Sequence, residues 1–214
     1  MIETKSIDLE RPLNLRGEIV NFTEHDNLHW AGIVDLAPWV VLLYDARTKN
    51  EFYILKGSLI SRAGVSYTSG TFISLSGEWP LSSGAEGVKL YAYRDGSVFS
   101  NILTIITPDE LKWHDGGAMG MRVAAMHESS NDLLLVSWMR GTKMPFHLHP
   151  RGEEFYVLKG ELCDESGRYK AGTWQRLHPG TGHAPYAETD TLILLRNGHL
   201  PPLNLKQNNP SGVT

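Results

Sequence analysis

The hexapeptide FYILKG at residues 52–57 returns as FYVLKG at residues 155–160, with five of six residues identical at an offset of 103. Gly64 and Gly167 keep that offset. It then becomes 102, where Tyr67, Gly70, Thr71 and Leu75 match Tyr169, Gly172, Thr173 and Leu177. Further on, Leu90, Arg94 and Gly96 match Leu192, Arg196 and Gly198 at the same offset. A register shared over about 45 residues means one folding unit built twice. The predicted boundary lies near Phe99 to Asp109, giving units 1–105 and 106–214. The runs between turn residues are short, such as WAGIVDL, WVVLLYD and VKLYAYRDG. They are rich in Val, Ile and Tyr and broken by Gly, Asn, Asp and Ser, which is strand–turn–strand chemistry. No stretch holds a 3.6-residue apolar period over three turns. The chain therefore reads as all-β: two tandem barrels with few short helices, one of them a helical turn at residues 107–111, where Pro108 precedes two acids. The polar residues 1–15 read as a lead-in strand pairing with the first barrel or with a partner chain.

The two copies differ in chemistry. Residues 141–160 of the second copy read GTKMPFHLHPRGEEFYVLKG. His147 and His149, two apart on a strand, share a face. Pro150, Arg151 and Gly152 make a turn, and Glu153 opens the next strand. These three side chains converge without help from distant sequence. His183 follows after a Gly/Pro turn. Three imidazoles and a carboxylate suit zinc, iron, manganese, nickel or copper, with coordination positions left for water or a substrate oxygen. At the repeat offsets the same positions of the first copy hold Tyr44, Ala46, Asn50 and Leu81, so the first barrel reads as a duplicate without a metal site. His25 and His29 read as exposed or capping histidines, since no third ligand lies nearby.

Residues 141–160 match G-x5-H-x-H-x3-E-x6-G, the first cupin motif, at every specified position. The second motif, G-x5-P-x-G-x2-H-x3-N, is met at Gly172, Gly180 and His183, with His178 in place of Pro and Ala187 in place of Asn. The wording around both motifs is similar to the ChrR-type cupins over about residues 111–199. The resemblance implies two cupin (double-stranded β-helix, jelly-roll) barrels. It also implies one divalent metal ion on His147, His149, Glu153 and His183, with zinc first and iron, manganese or nickel as alternatives. Some relatives are small dioxygenases, so a metal-dependent enzyme acting on a small chelating ketone or diketone is one expectation. A regulatory or ligand-binding module without catalysis, related to the anti-sigma factor ChrR, is the other. That anti-sigma factor grips its sigma factor through a separate His-x3-Cys-x2-Cys zinc domain. This chain lacks the motif, so a sigma-factor partner is not expected. Cupins often pair through edge strands, which implies a homodimer.

Strand parity suggests which side chains line the pocket. If Glu153 points inward, Phe155 and Val157 share its face. Trp174 and Arg176 share one face of their strand, and Thr173, Gln175 and Leu177 the other; an inward Arg176 would imply an anionic substrate. Tyr186, Trp138, Met139 and Met144 are further candidates. Glu154, Gln175 or backbone carbonyls are candidate partners for the second imidazole nitrogens. Cys163, the one cysteine, excludes an internal disulfide and reads as a buried, inert thiol. A net charge of −4 points away from nucleic acid and anionic membranes. No apolar run approaches the roughly 20 residues that span a bilayer, and the N-terminus has no signal-peptide core. A soluble, cytoplasmic protein is expected.

Overall fold

The computed structural model describes residues 1–7, 18–23, 28–96, 101–127 and 130–202. The chain divides into two compact units: Asp8–Lys112, and Trp113–Thr214 together with Met1–Ile7. Strand β1 (Ile2–Ser6) thus opens the chain but belongs to the C-terminal unit.

The first unit is a barrel of β2 (Glu18–Asn21), β3 (His29–Leu36), β4 (Lys49–Ser61), β5 (Ser66–Thr68), β6 (Phe72–Ser76), β7 (Leu81–Asp95) and β8 (Ile102–Ile106). The strands pair in the order β2-β3-β7-β4-β6-β8, with β5 against β4. Alternate residues of these strands supply its core, among them Phe52, Ile54, Ile73, Leu75, Leu90 and Ala92. A 3-10 turn at Pro108–Glu110 follows, where the Thr107 N–H donates to Glu110 Oε2 at 2.9 Å.

The second unit holds β9 (His114–Asp115), β10 (Met121–His127), β11 (Ser130–Trp138), β12 (His147–His149), β13 (Glu153–Lys159), β14 (Glu161–Asp164), β15 (Gly167–Lys170), β16 (Thr173–Leu177), β17 (Thr181–His183), β18 (Tyr186–Ala187) and β19 (Thr191–Asn197). Its main sheet runs β1-β16-β13-β19-β11-β10-β9, with β12-β17 and β15-β14-β18 as smaller sheets. Every pairing is antiparallel. The core collects Phe155, Val157, Leu177, Val136, Ile193 and Tyr169.

The repeated FY-x-LKG has a structural reason. β4 and β13 both break register just before the Lys, at Ile54/Lys56 and Val157/Lys159. The glycine that follows is left-handed in both, with φ +76° at Gly57 and +77° at Gly160. A Cβ on Gly57 would lie 2.2 Å from Gly87 O, and one on Gly160 2.3 Å from Asp190 O. The bend needs a residue without a side chain at that point.

Two expectations are corrected. β1 pairs not with the first barrel but with β16, from Ile2↔Leu177 to Ser6↔Thr173. His178, at the motif position usually held by Pro, sits with its Nε2 2.6 Å from Glu3 Oε1 of that added strand. The late repeat offset is 103, not 102. Asn50 faces Arg94 and Glu153 faces Asn197, so Arg94 corresponds to Asn197. A one-residue irregularity shifts such a match without changing composition.

Candidate metal centre

The turn between β12 and β13 does what the sequence requires of it. His149 O accepts hydrogen bonds from the Gly152 N–H (3.1 Å) and the Gly180 N–H (2.8 Å). Gly152 is left-handed, and a Cβ there would press on Leu200 at 2.7 Å and Leu177 O at 2.9 Å. Strand β12 pairs with β17 so that His147 faces His183 directly. The four side chains His147, His149, Glu153 and His183 therefore meet, their ligand atoms all within 4.8 Å of one another. Ring centroids are 4.8 Å apart for His147 and His149 and 5.1 Å for each with His183. Glu153 lies between, with Oε2 3.4 Å from His149 Nδ1 and Oε1 3.4 Å from His183 Nε2.

The surroundings fix how each ring faces this cluster. His147 donates from Nδ1 to Pro145 O at 3.0 Å, leaving Nε2 toward its neighbours. His183 donates from Nδ1 to Asp164 Oδ2 at 3.2 Å. Asp164 is itself held: its Oδ1 accepts from the Ser166 N–H (2.7 Å), the Gly167 N–H (3.1 Å) and the Tyr169 hydroxyl (2.8 Å). Burial alone would raise the Asp164 pKa, but these bonds and His183 bring it below the usual carboxylate range. Burial works against a charged His183, yet Asp164 and Glu153 outweigh it and raise the imidazolium pKa to about 9. Burial lowers that of His149, opposed by Glu153 and helped by the other two rings.

His149 Nε2 is buried with no hydrogen-bond partner among the described residues. A buried ring nitrogen left bare is costly, and a cation beside it removes that cost. Two imidazoles whose Nδ1 is held from outside the cluster, a third with a bare buried nitrogen and a carboxylate suit a divalent transition ion. These residues fit such a metal.

A cavity of about 330 Å³ opens onto the cluster. Its walls alternate along three strands: Met121 and Val123 of β10, Leu134, Val136 and Trp138 of β11, Ile193, Leu195 and Asn197 of β19. Met144, Leu162 and Pro185 close it further, while Met139 is largely exposed outside it. The proposed pocket residues Phe155, Val157, Trp174, Arg176 and Tyr186 do not line it. Phe155 and Val157 do share the inward face with Glu153, but they lie in the buried core together with Leu177 and Tyr169. Trp174 and Arg176 take the opposite face, where Glu154 accepts from Arg176 Nε at 2.6 Å and Trp174 Nε1 at 3.3 Å, with His199 Nε2 at 2.8 Å. Burial would raise the Glu154 pKa; His199 and the arginines instead bring it down to about 2. Tyr186 pairs with Cys163 at the sheet edge. Glu154 is thus no partner for a metal-facing imidazole, and Gln175 donates instead to Thr4 Oγ1 at 3.3 Å. The partner missed from sequence is Asp164, which β14 delivers. A period-two reading of β10, β11 and β19 would have found the walls.

In the first barrel, Tyr44 replaces His147. Its hydroxyl lies 3.1 Å from both Gly77 O and Trp79 O and accepts from the Trp79 N–H at 2.7 Å. The backbone bonds Leu42 N–H to Leu81 O and Met144 N–H to Pro185 O set Leu81 opposite Pro185, so the His183 position falls near Trp79, not at Leu81. Cys163 is buried, as expected, and burial pushes its thiol pKa up. His29 lies in β3, partly buried, while His25 lies outside the described residues. No helix among the described residues is long and apolar enough to cross a membrane.

Comparison with known proteins agrees with this architecture. Among solved structures, a putative glyoxylate-induced protein from Pseudomonas aeruginosa superposes with a TM-score of 0.70 at 14% identity, covering 88% of this chain and 83% of that one. A putative dioxygenase from Nostoc punctiforme gives 0.67 at 13%, covering 92% and 78%. A variant of Bacillus subtilis oxalate decarboxylase gives 0.60 at 14%, covering 88% and 74%. At such identities the likeness is one of fold. No curated protein matched the chain. The ChrR Cupin-like domain matches residues 103–201, which include β9 to β19 of the second barrel, and the chain as a whole shares the two-barrel cupin fold of the neighbouring structures.

Proposed function

We propose that the chain is a metal-dependent enzyme of the dioxygenase type, acting on a small, largely apolar ketone or diketone that chelates through oxygen. His147, His149, Glu153 and His183 hold the ion. The observation that carries this reading is the wall of the cavity: Met, Val, Leu, Ile and Trp side chains lead directly to the four donors, and no Lys or Arg lines it among the described residues. A dianion such as oxalate would find no cationic side chain there, which argues against an oxalate decarboxylase activity despite the shared fold. A chelating ketone buries its carbon skeleton against the apolar wall and presents oxygen to the donors.

When bound, a divalent ion supplies Lewis acidity, and a redox-active one can also activate dioxygen. The protein's part is positioning and exclusion. Asp164 holds the His183 tautomer and Pro145 O that of His147. Trp138, in the wall, has a buried indole N–H without a partner among the described residues, which a ligand oxygen would satisfy. Asn197, paired in register with Glu153, offers an amide at the mouth. The apolar wall keeps bulk water from the reacting oxygen atoms.

The test is oxygen uptake by iron-loaded protein with 2,4-pentanedione and related diketones. Uptake with diketones and none with oxalate supports the reading. Firmly held zinc, with no turnover across a panel of ketones under any metal, would overturn it in favour of a ligand-sensing module. We infer a cytoplasmic homodimer as the setting, which fractionation and sedimentation analysis test.

A further inference from the structure

The first barrel has lost the imidazoles but kept an interior. A cavity of about 470 Å³ lies within it, larger than the one at the metal centre. Its wall includes Trp30, Val34, Leu36, Tyr44, Phe52 and Ala92. The Tyr44 and Phe52 rings meet edge to face at 6.2 Å, leaving an aromatic wall against which a flat molecule can lie. Asp45 and Arg94 contribute one charge of each sign, so the cavity carries no net formal charge. Asp45 is moreover already paired with Arg47 at 3.0 Å.

Asn50 also lines this cavity, at the position Glu153 holds in the second barrel. It is 4% exposed. Its amide nitrogen donates to Asp45 O at 2.8 Å and Thr48 O at 2.9 Å. Two backbone carbonyls fix the orientation of the amide, because only the NH2 can donate to them. Oδ1 therefore faces away from the turn, and none of these three bonds uses it. An acceptor presented to a largely apolar cavity is a point at which a ligand's donor can be held. A neutral amide oxygen beside one carboxylate already paired with Arg47 is a poor ligand set for a divalent cation, so the occupant is a molecule and not an ion.

We propose that the first barrel binds a small uncharged molecule with a flat apolar body and one hydroxyl or N–H group, which donates to Asn50 Oδ1. The metal-free copy would then be a second ligand site, independent of the chemistry proposed for the other barrel.

The test is titration of the full chain, stripped of metal by chelation, with p-cresol and indole, and with toluene as the probe lacking a donor. Ligand-observed NMR or calorimetry reads the binding. One site is expected, with toluene weaker by roughly threefold to tenfold, the range a neutral hydrogen bond commands. Ala92→Phe, which fills the chamber, should abolish binding. Val41→Trp, a change at a half-exposed wall position, should do the same by obstructing the mouth and decides the matter if Ala92→Phe does not fold. His147→Ala should leave binding unchanged. Absence of binding at millimolar probe would overturn the proposal. So would binding indifferent to both first-barrel variants or lost in His147→Ala, and equal affinity for toluene would overturn the role of Asn50.

Discussion

Asp164→Asn isolates the tautomer argument in a single atom. Three donors converge on Oδ1 of Asp164: the Ser166 and Gly167 N–H groups and the Tyr169 hydroxyl, at 2.7, 3.1 and 2.8 Å. An asparagine keeps all three only with its carbonyl oxygen in the Oδ1 place. Its NH2 must then occupy the position of Oδ2, 3.2 Å from His183 Nδ1. There a donor meets a donor. His183 escapes by moving its proton to Nε2, the nitrogen that faces Glu153 at 3.4 Å and that a metal would need. Loss of such an outer partner costs roughly 10- to 100-fold in metal affinity, or about 1.4 to 2.7 kcal/mol. Competition with a chromophoric chelator for zinc or cobalt measures it. The unfolding midpoint of the metal-free protein is measured alongside, because the substitution keeps the three Oδ1 bonds but removes the carboxylate that favours a charged His183 there. An affinity within twofold of the parent protein would refute the role given to Asp164.

Three further outcomes are expected. Gly160→Ala should destabilise the second barrel by about 1–3 kcal/mol, because a Cβ there meets Asp190 O at 2.3 Å and φ is +77°; denaturant titration reads this, and a neutral result would contradict the bulge account. Glu154→Gln should cost about 3–5 kcal/mol by leaving the buried Arg176 charge uncompensated. The Glu154 pKa is depressed to about 2 from 4.5, so its contribution is present above 4.5 and fades as pH falls toward 2. The stability gap between parent and variant should therefore close over that interval, and a gap that widened on acidification would refute the pairing. Metal affinity should fall steadily as pH drops below about 9, where His183 takes up a proton in the metal-free site, because ligation needs neutral imidazole and ionised carboxylate; dialysis at stepped pH followed by elemental analysis checks it.

The gathering of His147, His149 and Glu153 was readable because strand parity and one short turn are local rules. The same holds for the bulge glycines, which repeat with their strands. What escaped the sequence depends on partners far along the chain. β1 finds β16 across more than 160 residues, and nothing within residues 2–6 announces it. Asp164 reaches His183 because β14 pairs with β18, a register no motif encodes. Parity left two faces open for Trp174 and Arg176. Leu177 joins the buried core that also holds Phe155, and the arginine goes to Glu154 on the other side. The wall of the metal-site cavity comes from β10, β11 and β19, whose alternation was visible but whose position over the four donors was not.

Metal content per chain bears most directly on the central claim. Elemental analysis of protein purified without an affinity metal, then supplied with zinc or iron and dialysed, should find one ion per chain, and none in a variant carrying His149→Ala and Glu153→Gln. A parent protein that retains no ion, or a double variant that retains as much as the parent, would contradict it.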